Sequence, residues 1–241
     1  MTILPRRHLW AVALLTAAVA VGGPIGTQAA GTTRSPAVRP QDQATTPPLV
    51  RQMAQALARM HGYQITTHTT SAGPSSPLVL TSTATVVRRG QTLRLHVTTT
   101  MDRAGQVSTQ EEVSTGTHMC LRTSVRSAWS CSAASSTLTR LQHLDPNQLA
   151  QALGLNQQYV PAGQHTKQGQ PCTGYRFTLS VGGLHGQGML WIARGTALPV
   201  EEDTVSTLAL RTGTPALVVR TTQRWSRWND PHLTIPSVPA S

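Results

Sequence analysis

Two runs of adjacent carboxylates, Glu111-Glu112 and Glu201-Glu202-Asp203, come nearest to chemistry in type and spacing. Two carboxyl groups on one side of a cleft can divide acid and base roles in bond hydrolysis. Successive strand residues point to opposite faces, so Glu201 and Asp203 share a side and Glu202 lies behind them. Solvated strand ends before a turn are the commoner setting for such residues. The nine histidines show no H-E-x-x-H spacing and no C-x-x-C accompanies them, so no metal site is read from them. Serine is abundant, but no G-x-S-x-G elbow occurs. Gly183-Leu184-His185-Gly186-Gln187-Gly188 imitates part of a phosphate loop, yet it joins two apolar runs and opens no helix, so the dinucleotide reading fails. With no nucleophile and base to propose, the expectation is a protein that is not an enzyme and uses no cofactor.

The three cysteines read as structural, because no basic residue adjoins Cys131 to lower its pKa. Cys120 and Cys131 flank a hairpin that turns near Arg122 to Ser127. Folding it about Val125 and Arg126 sets the two cysteines opposite each other, which is the favoured disulfide. Cys172 follows a loop and either stays free or captures one of the other two if that loop packs against the hairpin.

The N-terminus bears on location. Arg6, Arg7 and His8 precede an apolar run from Leu9 to Val21, and Pro24 and Gly26 break it before Thr27-Gln28-Ala29. This is the pattern of a secretory signal peptide cleaved after Ala29. The run is shorter than the ~20 residues of a comfortable membrane span, so an uncleaved anchor is the lesser alternative. Residues 30–45, rich in Thr, Pro, Ala and Gln, read as a flexible tether, and residues 46–241 as the folded domain. The expected location is secreted or within the cell envelope. The net charge of +11 rests almost wholly on arginines scattered through unrelated segments. That argues against a specific nucleic-acid site and is compatible with weak attraction to an anionic membrane surface.

The elements that would position any site follow from periodicity. Pro47-Pro48 starts a helix with Val50, Met53, Ala54, Leu57 and Met60 on one face, ending at Gly62. Strands are expected over 63–70, 78–87, 91–101 and 106–115, followed by the cysteine hairpin. Leu138, Leu141 and Leu144, then Asp145-Pro146 through Leu149, Leu153 and Leu155, give a helical insertion. Tyr159 to Cys172 has room for another strand. Four more follow, carried by YRFTLSV, QGMLWIA, VEEDTVSTLALR and ALVVRTTQRW, with breaks at Gly and Pro. The segment from Trp225 to Pro236 closes over one rim. The fold class is mainly β (α+β), with about ten or eleven strands in one broad antiparallel sheet.

This order resembles the LolA/LppX-like carrier superfamily over about Pro47 to Pro236. The likeness is carried by MLWIARGTALPVEEDTVST, by the hairpin from Met119 to Trp129, and by the final strand running into Trp228, Asn229, Pro231 and Ile235-Pro236. The chain departs from the mycobacterial-type lipoproteins in lacking their lipid-attachment Cys and in carrying its own cysteine pair. The resemblance implies a curved half-barrel whose concave side is covered by helices and encloses an apolar cavity. Lipid or another apolar ligand would then meet Leu95, Val97, Phe177, Leu179, Leu190, Ile192, Leu208 and Leu210. A fully packed core explains the same residues, since one face of any antiparallel sheet is apolar. Two functions fit the resemblance: a carrier or sensor of a hydrophobic ligand, or a module that binds a cell-envelope protein through the same sheet.

Overall fold

The computed structural model describes residues 47–72, 77–90, 92–115, 118–133, 159–181, 184–208 and 216–238. One helix, α1 (Pro48–Arg59), precedes eleven strands. Pro48 occupies the first turn of α1, where the missing N–H costs nothing. Its apolar stripe, Val50, Met53, Ala54 and Leu57, is buried. The strands are β1 (Gly62–Ala72), β2 (Leu78–Arg89), β3 (Thr92–Arg103), β4 (Gln106–Ser114), β5 (His118–Arg122) and β6 (Ser130–Ala133), then β7 (Val160–Lys167), β8 (Gln170–Val181), β9 (Leu184–Ala193), β10 (Pro199–Leu208) and β11 (Leu217–Ser226).

All eleven form one antiparallel sheet in the order β6-β5-β4-β3-β2-β1-β11-β10-β9-β8-β7. Two meanders, β1 to β6 and β7 to β11, are thus joined along the β1–β11 ladder. Among the described residues β6 and β7 are the edge strands, and the sheet does not close. The main apolar cluster runs from Leu95 and Val97 on β3 to Phe177 on β8. That span is six strand spacings, roughly 29 Å if flat, whereas twelve helical residues reach only about 18 Å. Among the described residues one short helix lies on this wider cluster, and the sheet curls into a half-barrel. The face that carries α1 is called inner below.

Two sequence expectations need adjustment. Strand β8 begins at Gln170, and a tight turn at Gln168 and Gly169 joins it to β7, so Cys172 lies inside a strand and not behind a loop. Gly186 and Gly188 also belong to a strand, β9. Gly188 faces Phe177, and a β-carbon there would run into the Phe177 ring, so the aromatic fills the space that glycine leaves. The helical insertion expected between Leu138 and Leu155, the signal peptide over 1–29 and the tether over 30–45 all lie outside the described residues.

The hairpin and the closing segment follow the sequence reading. Cys120 and Cys131 face each other across β5–β6 and are disulfide-bonded. Ser124 and Ser127 close the turn between them, each backbone N–H donating to the other's hydroxyl, at 3.0 and 3.1 Å. At the C-terminus, Asn229 N–H donates to the Gly62 carbonyl at 2.8 Å, and its side-chain oxygen accepts from His61 N–H at 2.7 Å. Trp228 lies against Tyr63 with ring centroids 5.5 Å apart, and Leu233 is buried beside Gly62. The tail therefore ties down one rim of the sheet.

Candidate functional site: the inner face of the half-barrel

Strand alternation sorts every side chain to one face, and the ladder registers align those choices across the sheet. The inner face has an apolar floor near α1: Tyr63 and Ile65 on β1, Ala84 and Val86 on β2, Tyr175 and Phe177 on β8, Leu190 and Ile192 on β9, and Trp225 on β11. Ile192 is 0 % exposed and Leu190 2 %, so this floor is packed. On β3 the situation differs. Leu93, Leu95 and Val97 pack against the same cluster but remain half-exposed. An apolar wall on the covered side of a sheet that still meets solvent is what a binding crevice requires.

Next to the floor runs a polar row that no single strand reveals. Gln110, Thr99, Ser82, Thr67, Gln223 and Glu202 stand in register across β4, β3, β2, β1, β11 and β10, and the row ends on Leu190 and Tyr175. One step further on, the hydroxyls of Thr69 and Thr221 meet at 3.1 Å.

Both carboxylate runs are divided by the sheet in the same manner. On the outer face Glu111 binds Arg122 at 2.7 Å, with His96 at 3.6 Å. Glu201, also on the outer face, binds Lys167 at 2.5 Å and Arg224 at 3.0 Å. Burial alone would raise the Glu201 pKa, but the hydrogen bonds from Lys167 and Arg224 prevail and hold it below the ordinary carboxylate value. Their partners Glu112 and Glu202 point inward, and among the described residues neither has a cation beside it. Burial raises the Glu112 pKa. Burial, and then the charge of Asp203 across the sheet, push Glu202 up to about 7. Glu201 and Asp203 do share the outer face, but Glu201 is held by Lys167 and Arg224 and Asp203 accepts from the Thr222 hydroxyl at 2.7 Å, so the two carboxylates are engaged with the sheet and not with each other.

Tyrosines near the inner face stay protonated. Burial pushes Tyr63 up to about 12, partly offset by Arg88, and raises Tyr159 with help from Glu202. On the outer face Cys172, Trp191, Ala193 and Val200 form a small second cluster, roofed by Lys167 at 5.0 Å from the Trp191 ring. Cys172 is a free, buried thiol whose pKa burial raises, which suits a packing role. Among the described residues, no three His, Cys, Asp or Glu side chains gather as metal ligands, and no helix is long and apolar enough to cross a membrane.

Of the eight residues expected to line a cavity, Phe177, Leu190 and Ile192 lie in the buried floor, and Leu95 and Val97 in the half-exposed wall. Leu179 is two residues beyond Phe177 on β8 and is aligned with Gly186, Leu208 is aligned with Leu184, and Leu210 lies outside the described residues. The strand pattern suggests that Leu190 and Ile192 approach Leu208 and Leu210. The register corrects this, since Leu190 stands opposite Glu202 and Ile192 opposite Pro199. Sequence reasoning missed Tyr63, Ile65, Trp225 and the inward role of Glu202. Alternation within the Thr-rich β1 marks Tyr63 and Ile65 weakly, but only the β1–β11 pairing places Trp225 beside them.

A solved structure of LprF from Mycobacterium bovis shares this architecture, with a TM-score of 0.52 and 16 % identity over 78 % of this chain and 94 % of that one. The fold is LolA/LppX-like. Weaker likenesses are a lipoprotein-sorting domain of the outer membrane type from Vibrio parahaemolyticus (TM-score 0.31, 9 % identity, 76 % and 92 % covered) and MucB in its complex with MucA from Pseudomonas aeruginosa (TM-score 0.38, 16 % identity, 80 % and 57 % covered). No protein-family model and no curated protein sequence matches the chain. The LolA/LppX-like half-barrel therefore rests on three-dimensional likeness, and its inner face must be read from its own residues.

Proposed function

We propose that this protein is an exported, non-enzymatic carrier or sensor that holds a lipid or acyl chain against the inner face of the half-barrel. The observation that carries the reading is the β3 wall. Leu93, Leu95 and Val97 lie on the helix-covered face and touch the packed floor, yet stay half-exposed. Burying such a wall under an acyl chain gains about 25 cal/mol per Å² of apolar surface covered. The LolA/LppX-like fold supports the same reading, as does an N-terminus patterned for export and cleavage after Ala29. In this reading residues 30–45 tether or space the domain in the cell envelope. Native mass spectrometry of the protein isolated from its own envelope tests it: a species with an added lipid mass, released on activation, is expected, and a bare polypeptide mass would count against a cargo.

A second reading, a module that binds an envelope protein, draws on the β5–β6 hairpin. That hairpin is fixed by the disulfide and by Arg122 stacked 4.6 Å from the Trp129 ring, and it presents Val125 with 64 % exposure. The same experiment distinguishes the two, because this reading predicts a bare mass accompanied by a protein partner.

A further inference from the structure

We propose that Glu202 sets the head-group selectivity of the inner crevice, admitting amphiphiles whose polar end is uncharged and hydroxyl-bearing and turning away anionic ones. This rests on the carrier reading and adds to it the class of head group and the residue that chooses it.

The distribution of charge carries the inference. The chain has twenty Lys and Arg against nine Asp and Glu, but the ladder registers send most of the basic residues of the sheet outward, including Arg94, Lys167, Arg176, Arg220 and Arg224. Only Arg88, at the rim beside Tyr63, and Arg103, exposed at the end of β3, have inner-face positions among the described strand residues. Glu112 and Glu202 are the inner acids. The inner acids thus lie away from the two inner arginines, which stand at the rim and at the end of β3, and an anionic head at Glu202 would meet a carboxylate that has no cation beside it among the described residues.

Glu202 also lies where a head group would end. On one side are Leu190 and Tyr175 of the apolar floor, and on the other Gln223, Thr67, Ser82 and Thr99 of the polar row. Its side chain is crowded enough for burial to govern its titration, yet it is only half-buried. A recessed surface satisfies both conditions. Hydroxyls can donate to its carboxylate and exchange hydrogen bonds with the threonine and glutamine side chains beside it.

Among the described residues, the groups that bear on its charge are few. Strand β9 contributes Leu190, and β11 contributes Gln223. From β8 and the start of β7 come Tyr175 and Tyr159, whose hydroxyls burial keeps protonated. On its own strand Asp203 acts through the sheet from the outer face. Helix α1 turns Val50, Met53 and Leu57 toward the cluster and leaves Arg51 and Arg59 exposed. Glu112 is on β4, across the sheet.

The test uses the full chain and two ligands of equal chain length whose own charge does not titrate: monolauroylglycerol, which is neutral, and dodecyl sulfonate, which is anionic. Calorimetric titration below micellar concentration would be done at about pH 5.5 and about pH 8.5, either side of the carboxyl's titration. From the lower to the higher pH, sulfonate affinity should fall about tenfold or more, as expected for like charges in a partly buried site, while monolauroylglycerol affinity stays within about twofold. Glu202→Gln should remove most of that fall. The residual change, due to deprotonation of histidines across the molecule, measures the background. Sulfonate binding that is independent of pH in the unaltered protein overturns the assignment without any variant, and so does a fall that persists in Glu202→Gln. If neither ligand binds at either pH, the carrier reading itself fails and takes this inference with it.

Discussion

Ile65 of β1 faces Trp225 of β11 across the ladder that joins the first strand of the domain to the last. Both are buried in the main cluster, Trp225 at 5 % exposure. This contact holds two meanders in one sheet, since no other ladder links β1–β6 to β7–β11 among the described residues. Trp225→Ala should therefore cost about 3–5 kcal/mol, the usual loss for truncating a large buried aromatic. Chemical denaturation would read it as a lower midpoint with the slope largely retained. A loss under about 1 kcal/mol would show that the seam does not depend on this side chain.

How far the sequence revealed the fold can be judged from the same pair. Each strand was legible, because Thr- and Val-rich runs alternate between Gly and Pro breaks, and the cysteine hairpin was legible from its symmetry about Val125 and Arg126. The β1–β11 ladder was not. Local pattern says which face a side chain takes, but not which distant strand lies beside it, and Thr-rich strands such as TTHTT mark their buried face faintly. The consequence for the site was direct. Alternation alone sets Glu202 on the face opposite Glu201, but nothing in its neighbourhood discloses Gln223, Thr67 and Ser82 as its row, or Leu190 as its cross-strand partner.

The disulfide lies at the far edge of the sheet from β7, on two short strands. Cys120→Ser together with Cys131→Ser should lower stability by about 2–3 kcal/mol, as expected from the short loop that the bridge closes. The loss should be local. Amide exchange is expected to accelerate in β5 and β6 while β1, β10 and β11 keep their protection. Uniform acceleration through the sheet would mean that the hairpin is part of the global cooperative unit.

Glu202 and Glu201 should act on stability in opposite senses. Glu202 has a raised pKa, so the folded protein holds its proton longer than the unfolded chain does. Its contribution is fully present below the ordinary carboxylate pKa and is lost as pH rises toward about 7. Glu112 shifts in the same direction. Glu201 has a lowered pKa, so the stability from its Lys167 and Arg224 bonds is lost as pH falls below the ordinary carboxylate range. Burial lowers the His96 pKa despite Glu111 beside it, and stability rises with pH as the unfolded histidine loses its proton. The parent alone mixes these effects. The difference between Glu202→Gln and the parent isolates one of them, and should grow in favour of the variant between about pH 4.5 and pH 7. A difference that is flat across that interval would show that Glu202 ionises normally in the folded protein.

The floor and the wall of the inner face should answer differently to substitution. Leu190 is sealed among Tyr175, Phe177 and Ile192, so Leu190→Ala should leave a cavity and cost about 2–5 kcal/mol. Val97 is half-exposed, and its cross-strand neighbour Glu112 has no cation. A lysine at that position can run its stem along the wall and set its ammonium beside the Glu112 carboxylate. Val97→Lys should therefore fold with a melting temperature within a few degrees of the parent, roughly a change under 1 kcal/mol. It should also place a charge where the acyl chain is proposed to lie, and lower affinity for monolauroylglycerol by about tenfold or more. Paired thermal melts and calorimetric titrations on the two variants would measure both quantities. A folded Val97→Lys that binds as tightly as the parent would remove the β3 wall from the ligand site, and leave the packed floor as a structural core alone.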